Sequence, residues 1–135
     1  MKELVLEAKS ENLDAVLETL GEELDSADCP MKVRFQMEVA VEELFVNVAN
    51  YAYAPNEGDV TVRIDIGKEP ASVTVTFIDS GVPFDPLAKP DPDVANTLGD
   101  QKIGGLGIYM VKKSMDSVTY DYKEGCNVLT IKKLF

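Results

Sequence analysis

The sequence predicts an α/β (α+β) two-layer sandwich: a mostly antiparallel mixed sheet with helices on one face. Three observations predict it. Runs of alternating apolar residues recur at the start, middle and end of the chain. Apolar residues at helical spacing fill much of the sequence between them. Tight turns join consecutive strands, whereas helical stretches separate the strand groups, which suits a sheet covered on one side.

Lys2 to Ala8 reads as a short strand. Ser10 is placed to cap a helix in which Leu13, Val16, Leu17, Leu20 and Leu24 recur on one face. Pro30 suits the start of a second helix running to about Tyr53, apolar on nearly every side and therefore expected to be central. Pro55-Asn56-Glu57-Gly58 is a turn; Val60, Val62 and Ile64 alternate as a strand. Lys68-Glu69-Pro70 turns again, and Val73, Val75 and Phe77 alternate up to Asp79. From Pro83 to about Ile103 periodicity disappears among four prolines (Pro83, Pro86, Pro90, Pro92), a pattern expected of a lid. Gly105 to Met115 reads as a helix, and Ser117–Lys123 with Asn127–Leu134 as a hairpin turning at Glu124-Gly125.

A chain of 135 residues makes one domain, residues 1–135, with one core. With 45% apolar and 27% charged residues it has globular composition. No apolar run reaches membrane-spanning length, and the N-terminus lacks a signal-peptide layout, so a cytoplasmic location without membrane association is expected. The net charge of −11 argues against direct nucleic-acid binding, which needs clustered Lys and Arg. The lack of histidine removes imidazole bases, His metal ligands and phosphohistidine. Cys29 and Cys126 have no metal-ligand spacing and are expected to stay reduced.

Three boxes carry chemistry. In the first, Glu43 and Asn47 are four apart and share a helix face, with Asn50 a turn further on. Asn is a poor helix-interior residue, and a carboxylate on an apolar helix needs a partner. A shared Mg²⁺ explains both: Asn47 offers a carbonyl oxygen, and Glu43 can take a proton from an attacking hydroxyl. A buried amide satisfied by backbone would also account for Asn47. In the second box, Asp79 ends an apolar strand where another apolar residue is expected. Its carboxylate can accept a hydrogen bond from the adenine amine; Gly81 leaves room for the base and Phe84 could wall the pocket. An ordinary Asp-Ser-Gly turn is the plain alternative. In the third, Gly104-Gly105-Leu106-Gly107 opens a helix, where backbone N–H groups can cradle phosphate. A flexible glycine hinge would read the same way. Lys89 and Lys102, at the lid's ends, could reach terminal phosphates or simply be solvated.

In this order the boxes resemble the N, G1 and G2 boxes of the histidine-kinase-like (GHKL) ATPase superfamily, and within it the stand-alone anti-sigma-factor serine kinases. The likeness covers almost the whole chain, from Ser10–Ala27 to Thr130. It implies a Bergerat-type fold that binds ATP and Mg²⁺: Asn47 on the metal, Glu43 as general base, Asp79 on adenine and Gly81 against it. Gly104, Gly105 and Gly107 would hold phosphates, and Thr130 would touch adenine through water. The resemblance further implies a protein-serine kinase that phosphorylates a STAS-type anti-anti-sigma partner and sequesters a sigma factor, with homodimers common among relatives. An ATP-gated binding module without turnover is the competing reading. One departure stands out: Tyr51 occupies a position where relatives commonly carry a basic residue or histidine.

Overall fold

The computed structural model describes residues 1–53, 56–88 and 103–135, with backbone alone for 103–106. Its elements are β1 (Lys2–Glu7), a 3₁₀ turn (Ser10–Asn12), α1 (Leu13–Ser26), α2 (Met31–Tyr51), β2 (Asp59–Lys68), β3 (Ala71–Asp79), α3 (Ile103–Ser114), β4 (Ser117–Lys123) and β5 (Cys126–Leu134). The strands form one sheet in the order β1-β2-β3-β5-β4. All its pairings are antiparallel, so the expected mixed component is missing among the described strands.

Period-2 alternation sets the sheet's two faces. Val60, Val62, Ile64, Val73, Val75, Phe77, Leu129 and Ile131 point inward and are buried against the helices. From α1 come Val16, Leu20 and Leu24; from α2, Met37, Ala40, Val41, Leu44 and Phe45. Arg34 on α2 pins the two helices together, bonding Asp25 of α1 and, at 3.1 Å, Glu38. The other sheet face carries Thr61, Arg63, Thr76 and Thr130, half-buried or exposed.

Three expectations change. Ser10 does not cap α1; it begins a 3₁₀ turn, and Asn12 reaches back to the Glu7 carbonyl at 2.9 Å. The helix α2 is not enclosed on all sides, because a single helical layer leaves its outer face in solvent. Met31, Phe35 and Val39, spaced four apart, are 74%, 68% and 43% exposed. The third helix starts at Ile103 rather than Gly105. The β4–β5 turn is as expected: Glu124 and Gly125 both take positive φ (54° and 76°), the conformation a two-residue hairpin needs and glycine tolerates. Both cysteines are free thiols. Among the described residues no helix is long and apolar enough to cross a membrane.

Tyr53 ties the end of α2 to the sheet. Its hydroxyl donates to the Asp59 carbonyl (2.6 Å) and accepts from the Ser80 N–H (2.8 Å). Burial pushes its pKa up, keeping the phenol neutral and able to donate. Tyr53→Phe is expected to cost about 1–2 kcal/mol in urea unfolding by leaving both partners without it; an unchanged midpoint would show that water replaces the hydroxyl freely.

Candidate functional site

A cleft opens where the C-terminal half of α2 faces the ends of β3 and β5. Leu44, Asn47, Val48 and Ala52 line it from the helix, and Phe77 and Asp79 from β3. Phe84 and Pro86 close one side; Tyr120, Asn127 and Leu129 of the terminal hairpin form another. It measures about 410 Å³ with its open mouth, but its free interior is about 30 Å³, room for a water or two. A purine can be seated only if a wall moves outward. Phe84 is the exposed part of that wall, and it stacks on Tyr51 with ring centroids 5.8 Å apart.

Asp79 is the buried charge of the cleft, 5% exposed. Its Oδ1 accepts from the Gly81 N–H and from Asn127 Nδ2, both at 2.9 Å. Its Oδ2 accepts no hydrogen bond from any described residue. Asp79 itself lines the cleft.

Gly81 has a packing reason to be glycine beside the expected one. A methyl there would lie 2.1 Å from the Ala52 carbonyl oxygen, so the turn is pressed against the end of α2. The Val82 N–H donates to the same carbonyl at 2.9 Å.

Glu43 and Asn47 lie on the α2 face toward α3, and both are half-buried. Desolvation raises the Glu43 pKa; the Asn47 amide opposes that rise and neighbouring Glu42 adds to it. The Glu43 carboxyl rests against Gly107, where a methyl would lie 2.1 Å from its Cδ. Gly107 therefore makes room for Glu43. By helix geometry its own N–H is used within α3, whereas Gly104 and Gly105 sit in the first turn, where N–H groups have no intrahelical partner. Gly107→Ala should leave melting unchanged or raise it, since Ala is about 1 kcal/mol better than Gly inside a helix, while displacing the flexible Glu43 carboxyl. Phosphotransfer assayed beside a melting curve would reveal this; unaltered transfer would mean that the Gly107 contact does not place Glu43.

Residues 6–133 match the family described as the histidine kinase-like ATPase domain. The chain belongs to that family. Among its relatives is the serine/threonine-protein kinase BtrW of Bordetella bronchiseptica, 24% identical over 100 residues, covering 74% of this chain and 70% of the relative. The serine-protein kinase RsbW of Listeria monocytogenes serovar 1/2a is 31% identical over 101 residues, covering 71% and 63%. RsbW of Bacillus cereus is 28% identical over 100 residues, covering 71% and 61%. The chain thus aligns with roughly two thirds of the length of these curated relatives.

Within this ATPase domain the structure gathers Asn47, Asp79 and Phe84 around one cleft, with Glu43 one helical turn from Asn47 and Gly107 against Glu43. Asn50 is exposed and does not line the cleft. Thr130 does not line it either: two-residue alternation turns Asn127, Leu129 and Ile131 inward and Thr130 outward, its Oγ1 3.5 Å from Thr76 Oγ1. Lys89, Lys102 and the middle of the lid lie outside the described residues, as does the Leu106 side chain. Sequence reasoning missed Asn127, Tyr120 and Tyr53. Asn127 carried a usable signal, a polar residue at an inward position of an apolar alternating strand.

Proposed function

We propose that this chain binds ATP with Mg²⁺ in the cleft and transfers the γ-phosphoryl group to a serine of a partner protein, within a switch that holds or releases a sigma factor. One observation carries the reading: a buried carboxylate lines an apolar cleft, with one oxygen satisfied and the other without a hydrogen-bond partner among the described residues. Such a group suits a flat heterocycle that donates one hydrogen bond, as adenine does through its amine. The Asn47 carbonyl, at the cleft wall, suits Mg²⁺, which takes few protein ligands and leans on phosphate oxygens. The nucleotide would supply the phosphoryl group. Glu43 would take the acceptor hydroxyl's proton, its raised pKa bringing it nearer the working range of a base. The N–H groups opening α3 supply an anion site.

The partner side rests on resemblance. The three boxes are similar to those of anti-sigma-factor serine kinases, and the relatives bear the names of serine-protein kinases. A STAS-type phosphoacceptor and a sigma factor are therefore the proposed partners, homodimerisation is proposed from the same likeness, and the proposed setting is the cytoplasm.

Calorimetric titration with MgATP and MgGTP tests the reading. ATP should bind and GTP should not, and Asp79→Asn should weaken ATP by about 1.5–3 kcal/mol, the loss of a charged hydrogen bond. Failure of both nucleotides to bind would overturn it. A second reading, ATP-gated capture without turnover, is favoured by one observation. Tyr51 brings no positive charge and is stacked on Phe84 rather than free to meet phosphate.

A further inference from the structure

Asn127 is buried (5% exposed) and all its hydrogen-bonding capacity is in use. Its Nδ2 donates to Asp79 Oδ1 at 2.9 Å and to the Val82 carbonyl at 2.8 Å. Its Oδ1 accepts from the Phe84 N–H at 3.1 Å and from the Tyr120 hydroxyl. One amide on β5 thereby fixes the turn after β3 at two places, Val82 and Phe84, and aims the Asp79 carboxylate that precedes it. Flipping the amide would set its oxygen against Asp79 Oδ1 and the Val82 carbonyl, so its orientation is dictated by its neighbours.

The geometry points to Asn127 as the positioning residue that sets purine selectivity through Asp79. Resting on the adenine reading above, the argument concerns polarity rather than charge. The inner oxygen position of residue 79 meets two donors, Gly81 N–H and Asn127 Nδ2, so whatever stands at 79 must put an acceptor there. With Asp the outward atom is also an acceptor, Oδ2, matched to the 6-amine of adenine. With Asn the carbonyl is drawn inward and the NH₂ group must face the cleft. A donor there repels the adenine amine and welcomes a 6-carbonyl. Asp79→Asn therefore becomes a change of ligand class, and the Asn127 amide is part of what enforces it.

The experiment titrates wild type, Asp79→Asn and Asp79→Asn/Asn127→Ala with MgATP and MgITP by calorimetry, with near-ultraviolet circular dichroism on each. ITP carries a carbonyl at position 6 and lacks the 2-amine of guanine. Wild type should prefer ATP by about ten- to hundredfold, the range for one charged hydrogen bond. Asp79→Asn, nearly isosteric, should invert the preference in favour of ITP. In the double variant only Gly81 still orients residue 79, and the ratio should fall back toward one. Equal weakening of both nucleotides by Asp79→Asn would overturn the inference while leaving ATP binding intact. An undiminished inversion in the double variant would assign the polarity to Gly81 alone. Wild type binding neither nucleotide would remove the adenine reading itself.

Discussion

Glu43→Gln is expected to lower phosphotransfer by about two to four orders of magnitude, the usual contribution of a general base, while MgATP still binds. Gln fills the same space beside Gly107 and keeps a polar contact with Asn47, but it cannot take a proton. A second effect follows from the raised pKa of Glu43, whose chief cause is desolvation. A carboxyl with a folded-state pKa above its ordinary value of 4.5 holds its proton more tightly in the fold. Its favourable contribution is then present at low pH and is lost as pH rises through the shifted pKa. Replacing it with neutral Gln should raise the melting temperature at pH 7 and lose that advantage near pH 4. Single-turnover transfer to the partner and melting curves at both pH values check the two halves separately. Unchanged transfer would remove Glu43 from the chemistry; a pH-independent gain in melting temperature would remove desolvation as its cause. A binding module without turnover predicts the melting effect alone.

Gly81→Ala is expected to be among the most destabilising small substitutions in the chain. The added methyl would lie 2.1, 2.5 and 2.8 Å from the O, C and Cα of Ala52. These are backbone atoms at the end of α2, so no side chain can simply step aside. Overpacking of this kind costs about 1–3 kcal/mol, and the shift also strains the Val82–Ala52 hydrogen bond and the Gly81 N–H on Asp79. Urea unfolding and MgATP titration should both register it. A loss below about 0.5 kcal/mol, ordinary for surface changes, would mean that the turn yields without cost. The contrast with Gly107 is instructive: both glycines touch something closely, but Gly107 meets the flexible end of a side chain.

Much of this was legible in the sequence because periodicity reports burial. The alternation in 60–64 and 73–77 placed two central strands, and Glu124-Gly125 placed the turn of the terminal hairpin, whose second strand begins one residue earlier than expected, at Cys126. The spacing of Glu43 and Asn47 put them on one face because four residues nearly complete a helical turn. What failed needed tertiary knowledge. Ser10 had cap chemistry, but the chain turns once as 3₁₀ before the helix begins. The exposure of Met31, Phe35 and Val39 depends on how many helical layers cover the sheet, which composition does not encode. Thr130 was assigned by likeness, whereas strand parity turns it away and brings Asn127 in. Gly81 read as room for the base and Gly107 as part of a phosphate cradle; that a side chain there would also meet Ala52 or Glu43, close in space and distant in sequence, was not legible.

The cleft borrows its walls from three stretches that the unfolded chain holds far apart: one helix, one strand with the turn that follows it, and the terminal hairpin. No fragment of the molecule can therefore carry it alone. By mass action any occupant specific to the assembled form must delay thermal denaturation of the whole domain, by about 2.7 kcal/mol at one hundred times its Kd. Cellular nucleotide would then act as a folding ligand, sheltering variants that the bare protein could not tolerate.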